Sequence, residues 1–316
     1  MLPTLPLHSA CRVPLLPLLG VACLSLTCDI LHFEEALGPS DTPFAQGYVY
    51  IHPDDKYLYA LDMSDVHNPV VLTKAEGMTE FGLSRHTRQV AYVAAGGKQL
   101  YVLPVQGGPE RLLVSAEGVL AAPTFSPSGK QVAFSYSDGP GFSIGIVQVD
   151  GSGFKKVNFT PGRFFSPNFK TEQTLWAVSM EGSHMALVEM DVATGAELNR
   201  RMQVGLAPLA SSSRLVLSPD GRHVAWSAAG NNASGNPRIF VWGLETGAVW
   251  QLSEHGSAEA KDFMPSWKDG TTVLWTTQKD GGFHAFSADF QKVKTEGQLE
   301  LKNSLYAVYV ESVDRP

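Results

Sequence analysis

The sequence predicts an all-β chain folded as a six-bladed β-propeller, and three observations carry that expectation. A short β-type run ending in an aromatic residue occurs six times, with the aromatic at Tyr50, Tyr92, Phe134, Trp176, Trp226 and Trp275. A period of about 40 to 50 residues marks an array of stacked supersecondary units. The 316 residues include 30 Gly and 20 Pro, enough turn formers to punctuate many short strands. After residue 46 no amphipathic pattern long enough for three helical turns is present, which removes the helical repeat arrays.

The chain opens with an apolar run, Val13 to Thr27, preceded by Arg12 and free of acidic residues. This reads as the apolar region of an export signal, and it falls short of the roughly 20 residues that a spanning helix needs. All three cysteines, Cys11, Cys23 and Cys28, lie in this first stretch, so the body cannot be a disulfide scaffold. The run Leu24-Ser25-Leu26-Thr27-Cys28 resembles a bacterial lipobox, which implies lipidation of Cys28, with Cys23 as the alternative site. The expected organisation is an export signal over 1–28, a tether over 29–46 and a propeller over 47–316.

Each repeat carries further matching parts. Before the aromatic run stands an apolar strand with a tight turn, as in Phe125-Ser126-Pro127-Ser128-Gly129, Leu217-Ser218-Pro219-Asp220-Gly221 and Trp267-Lys268-Asp269-Gly270. Proline presets φ and glycine accepts φ > 0, so these are hairpin turns with a physical mechanism. Repeats 2 (Ser84 to Thr87) and 4 (Lys170 to Gln173) have lost the turn. A third strand follows in Leu58–Asp62, Leu100–Leu103, Ile144–Asp150 and Ile239–Trp242. A fourth closes the unit in Val70–Leu72, Arg111–Val114, Lys156–Asn158 and Val249–Leu252. Four antiparallel strands per repeat is the blade pattern of a propeller.

Repeat 1 begins at Tyr48–His52 and lacks its first strand. Residues 304–313 supply a spare, predicted to return as the innermost strand of blade 1 beside Tyr48–Tyr50. Closure of this kind leaves no ladder edge open between the first and last repeats.

The Ser-Pro-Asp-Gly turn with its aromatic-ended second strand resembles the TolB-type propeller repeat of bacterial envelope proteins, over about residues 47 to 313. The resemblance implies a periplasmic or envelope location. TolB itself carries an α/β domain ahead of its propeller, which too few residues separate signal and first strand to hold here, so a role in the Tol system itself is not expected.

The candidate chemistry is sparse. The formal net charge of −7 and the lack of a basic patch argue against nucleic-acid binding. Gly141-Phe142-Ser143-Ile144-Gly145 fits a nucleophile pattern, but Ser143 falls inside a hairpin where a strand-to-helix elbow is required. His52, His67, His86, His184, His223, His255 and His284 are scattered singly, without metal-ligand spacing. Asp54 and Asp55 read as a turn, and the six repeat aromatics as packing between blades.

A binding patch is better sought in the linkers between blades, where aromatic side chains sit beside charges: Arg163, Phe164 and Phe165 before blade 4, and Asp262, Phe263 and Met264 before blade 6. The competing expectation is that Phe164 and Phe263 plug the channel. The sequence thus points to a monomeric, non-enzymatic scaffold without cofactor, metal or catalytic residue. It would bind an envelope protein or small ligand and touch the membrane through a lipid anchor alone. The alternative is a propeller enzyme, a metal-dependent lyase or lactone hydrolase with its site at the channel mouth.

Overall fold

Six four-stranded antiparallel sheets, one per repeat, build the body, and no helix occurs among the described residues. The computed structural model describes residues 44, 46–75, 77–78, 81–94, 96–137, 141–157, 164–181, 184–203, 214–230, 235–253, 259–292, 298–302 and 304–310. The predicted signal, with Cys11, Cys23 and Cys28, lies outside them, as does Arg163.

Blade 1 contains β1 (Gly47–Ile51), β2 (Tyr57–Asp62) and β3 (Val70–Lys74). Blade 2 is β4 (Phe81–Ser84), β5 (Gln89–Val93), β6 (Gln99–Pro104) and β7 (Arg111–Ser115). Blade 3 is β8 (Val119–Phe125), β9 (Gln131–Ser137), β10 (Ser143–Gln148) and β11 (Lys155–Val157). Blade 4 is β12 (Phe164–Phe169), β13 (Thr174–Glu181), β14 (His184–Asp191) and β15 (Glu197–Gln203). Blade 5 is β16 (Val216–Leu217), β17 (His223–Ala229), β18 (Pro237–Gly243) and β19 (Val249–Gln251). Blade 6 is β20 (Lys261–Trp267), β21 (Thr272–Lys279), β22 (Gly282–Asp289) and β23 (Gln298–Lys302). The last strand, β24 (Leu305–Val310), pairs with β1 in the order β24-β1-β2-β3 and closes the ring as the spare strand predicts.

The repeat aromatics sit on the second strand of each blade, and all six are buried. Their cross-strand partners explain the variation among blades. Tyr50 faces Tyr59, Tyr92 faces Tyr101, Trp226 faces Phe240 and Trp275 faces Phe286, each pair stacked with ring centroids 5.6 to 6.5 Å apart. Such cross-strand pairs are the unit of sheet stabilisation. In blade 3 Phe134 faces Gly145, where an added Cβ would come within 2.4 Å of the ring, and Phe134 stacks on Phe154 instead.

Side chains alternate along each second strand, so each blade is buried on both faces. Val132 and Phe134 pack toward blade 2, for example, while Ala133 packs toward blade 4. The core is therefore six wedges, one between each pair of neighbouring blades. Phe44, assigned to the tether from sequence, is buried in the wedge between blades 1 and 2.

The turns of repeats 2 and 4 correct one expectation, because they survive without their sequence signature. In blade 2 the Ser84 hydroxyl accepts from the backbone N–H of Thr87 at 3.1 Å. In blade 4 the Thr171 hydroxyl accepts from the N–H groups of Gln173 and Thr174, each at 3.1 Å. Side-chain oxygens thus supply the turn geometry that proline and glycine supply elsewhere.

A polar clamp locks the closing seam. The Tyr48 phenol of β1 donates to the Glu300 carboxylate of β23, which also accepts from Lys268 at 2.9 Å and Ser287 at 2.6 Å. The Lys268 ammonium lies 5.0 Å from the ring centre of Tyr309 on β24. Burial pushes the Glu300 carboxyl up, but hydrogen bonds from Ser287, Tyr48 and Lys268 outweigh it and hold it below the usual range.

Candidate functional site

The innermost strands surround the channel, and their geometry is set by a repeated bulge. Ala122, Ser166, Met264 and Tyr306 have φ of 50°, 53°, 54° and 52°. Each falls at a register shift between its own strand and the second strand of its blade. A left-handed non-glycine residue costs about 1 kcal/mol or more, so four at equivalent places mark a conformation imposed by the ring. Bulges of this kind re-aim a side chain.

Arg214 occupies the equivalent place in blade 5, four residues ahead of Ser218 as Ala122 is ahead of Ser126. It is buried, at 9% exposure. Its Nη1 donates to the Phe81 carbonyl of blade 2 at 2.9 Å and to the Tyr306 hydroxyl of blade 1 at 3.1 Å. Its Nη2 donates to the Pro123 carbonyl of blade 3 at 2.8 Å. Tyr306 donates in turn to the Phe81 carbonyl, and the rings of Tyr306 and Phe81 meet edge to face at 4.8 Å. One guanidinium therefore ties blade 5 to three other blades across the channel.

Similar bonds stitch the remaining inner strands. Ser166 donates to the Leu215 carbonyl, Ser266 to the Ala307 carbonyl, and the Trp267 indole to the Val216 carbonyl. These satisfy backbone groups at the inner edges of blades 1 and 5, which have no further strand to pair with.

Above this cross-tie, at the end carrying the turns between first and second strands, opens a cavity of about 310 Å³. Each blade contributes one equivalent wall residue: Gly82, Thr124, Asn168, Val216, Ser266 and Val308. A Cβ at Gly82 would lie 2.4 Å from the Pro123 carbonyl oxygen, so blades 2 and 3 approach this closely only over glycine. Phe81, Arg214 and Tyr306 form the floor, and Arg85, His86, Lys170 and Trp267 stand around the mouth. Arg85 reaches from blade 2 to the Trp267 carbonyl of blade 6. Lys170 is paired with Glu189 at 2.8 Å.

The residues nominated from sequence are distributed differently. Phe164 is buried in the wedge between blades 3 and 4. Asp262 is fully buried and accepts from Ser253 at 2.7 Å and Thr277 at 2.8 Å, with Arg238 at 3.7 Å. Thr277 accepts in turn from the Trp275 indole, so this carboxylate is the end of an internal hydrogen-bond chain. Met264 is half-buried against the wedge of blades 1 and 2. Phe165 and Phe263 are half-buried at the linker end of the ring, where Phe263 meets Phe283 edge to face at 6.0 Å. Phe142, at 37% exposure, and Val119, at 49%, lie at the same end.

Ser143 begins β10, and its hydroxyl donates to the Tyr136 carbonyl across the hairpin, as the strand reading requires. Asp55 caps the turn after β1 by accepting from the Tyr57 N–H at 3.0 Å. Among the described residues no three or more His, Cys, Asp or Glu side chains gather as a metal site. Sequence reasoning missed Arg214. The available signal was its alignment with Ala122, Ser166 and Met264, counted back from the turn.

No protein-family model matches the chain, and no curated protein matches it by sequence. Solved structures share its fold. TolB from Acinetobacter baumannii is similar over 87% of this chain and 68% of its own, at 18% identity and a TM-score of 0.62. A chain of a nidogen/laminin complex is similar over 84% of this chain and 98% of its own, at 12% identity and a TM-score of 0.58. An oligogalacturonate lyase in complex with manganese is similar over 75% of this chain and 72% of its own, at 16% identity and a TM-score of 0.51.

Proposed function

We propose that this chain is an exported, non-enzymatic propeller, held at a bacterial envelope by a lipid on Cys28, which captures a protein partner at the linker end of its ring. The observation that carries the reading is the set of apolar side chains at that end. Phe142 and Val119 are exposed, and Phe165 and Phe263 are half-buried at sequence-equivalent places near the start of the first strands of blades 4 and 6. Exposed apolar groups of this kind are the raw material of interfaces, where aromatic anchors contribute most. Arg163, in the linker before Phe164, would add a charged rim. The likeness to a TolB structure and to a chain of a nidogen/laminin complex supports a scaffold in the envelope and a protein ligand.

Mass spectrometry of the mature N-terminus tests the anchor. Diacylated Cys28 is expected, with Cys28→Ser releasing the chain from membranes, since stable anchoring needs more than one acyl chain. An unmodified Cys28 would overturn that part of the reading. Capture of partners from envelope extract, compared between wild type and the Phe165→Ala, Phe263→Ala double variant, tests the face.

The second reading, a metal-dependent lyase or lactone hydrolase, draws on the likeness to oligogalacturonate lyase with manganese. Stoichiometric manganese, zinc or calcium in protein purified without chelators would favour it over the scaffold.

A further inference from the structure

We infer that the protein captured at the linker end anchors itself by one leucine or isoleucine side chain, received in an apolar hollow between blades 2 and 3. The inference rests on the reading of that end as the capture face, and it names the anchor the partner presents. A cavity of about 100 Å³ opens there. Its walls are Met78 from the linker before blade 2, Val93 and Ala94 where β5 ends, and Leu120, Ala121 and Pro123 of β8. Among the described residues no charged, hydroxyl or amide side chain lines it. The main-chain groups at its rim are already used, since the Gly97 N–H donates to the Ala94 carbonyl at 3.0 Å and the Leu120 N–H donates to the Gly97 carbonyl at 2.6 Å. A polar ligand would lose its water there without finding a partner, whereas an apolar group gains by burial.

The backbone shapes the hollow. On the blade 3 side β8 carries its bulge between Ala121 and Thr124, with Ala122 left-handed, so this wall has the conformation the ring imposes. On the blade 2 side Gly97 turns the hairpin between β5 and β6 at φ of 71°, and a Cβ there would stand 3.3 Å from Cγ1 of the exposed Val119. The missing side chain leaves room beside Val119. Size then selects the occupant. An apolar cavity of about 150 Å³ takes one benzene, or about 25 Å³ per carbon. At that rate about 100 Å³ holds about four carbons, the side chain of leucine or isoleucine, and an aromatic ring is too large. Anchors that fill such desolvated pockets carry a large share of binding energy.

Methyl-resolved NMR of the full chain, following Met78, Val93 and Leu120, tests this with neutral probes: the N-acetyl amides of leucine, isoleucine, alanine and phenylalanine. The leucine or isoleucine probe should shift these methyls saturably. The alanine probe should bind at least about tenfold more weakly, having three fewer carbons to bury, and the phenylalanine probe should not saturate. Ala121→Leu fills the hollow from its own wall, so it should abolish the shifts and reduce partner capture while melting no lower than wild type. Ala94→Leu, from the blade 2 side, makes the same test if the first variant folds poorly. No saturable shift with either branched probe, a phenylalanine probe binding as well as leucine, or undiminished capture by a folded filled variant would overturn the inference. The Phe165→Ala, Phe263→Ala variant should keep the probe shifts. Saturable leucine binding in a chain that captures no partner would therefore uphold the hollow and fault the capture face alone.

Discussion

Arg214, at the start of blade 5, donates across the channel to the backbone carbonyl of Phe81 in blade 2, 2.9 Å away and 133 residues earlier in the chain. With its bonds to Pro123 and Tyr306 it makes the channel floor a cross-tie. Arg214→Met keeps the unbranched stem of the side chain as far as the ε position but leaves the Phe81 and Pro123 carbonyls without these donors in a buried place. The expected loss is about 3 kcal/mol, from buried bonds made by a charged group. Urea unfolding measures it, and an unchanged midpoint would show that the cross-tie adds nothing.

The seam clamp predicts a pH window. Folding depresses the Glu300 carboxyl, so its contribution is full above the unfolded value of about 4.3 and is lost as pH falls through the folded one. Tyr48 shifts the other way: burial first, then its bond to Glu300, raises its phenol, so its contribution is full below about 10 and is lost as pH rises through the folded value. Glu300→Gln should flatten the acid limb of the stability curve and Tyr48→Phe the alkaline limb. Melting temperatures across pH decide it, and variant curves parallel to wild type on both limbs would contradict the assignment.

Deleting residues 304–316 should expose the inner edge of β1. The register from Gly47↔Val310 to Ile51↔Leu305 disappears, with the Tyr306 contacts on the channel floor. At about 1 kcal/mol net per hydrogen bond, besides the burial of β24, the cost reaches several kcal/mol. That is a large part of a typical stability of about 5 to 15 kcal/mol. A truncated chain with the melting temperature of the full one would refute closure as a source of stability.

Phe164 and Phe165 are neighbours with opposite expected behaviour. Phe164→Ala should cost about 3 kcal/mol by opening a cavity between blades 3 and 4, while leaving partner capture per folded molecule unchanged. Phe165→Ala with Phe263→Ala should reduce capture with a much smaller change in melting temperature. The reverse pattern would show that the two strand faces are exchanged.

Much of the architecture was legible in the sequence because ring closure and blade number follow from counting. Six aromatic-ended strands and one spare strand leave a single way to finish the ring. The channel was not legible, since its conformation at Ala122, Ser166, Met264 and Tyr306 is a left-handed one that local sequence disfavours and the ring imposes. Asp262 looked like a charged linker residue, yet Ser253, Thr277 and Arg238 around its carboxylate, with the Trp275 indole bonded to Thr277 behind them, make it internal. Phe164 and Phe165 illustrate a limit of periodicity: with a period of two, the face of a strand's first residue depends on where the strand begins.

The pairing of β24 with β1 also orders events in time. A chain emerging from the ribosome, or threaded through a pore from its N-terminus, presents β1 to β3 long before Val310 arrives. Until then blade 1 is a three-stranded sheet with one open side, and Tyr48 has neither Glu300 nor Tyr309 beside it. β24 is the strand the first strand waits for, so the ring can lock only after Val310 has been made. A nascent molecule of this kind has an unsealed ring until Val310 emerges and closes only then.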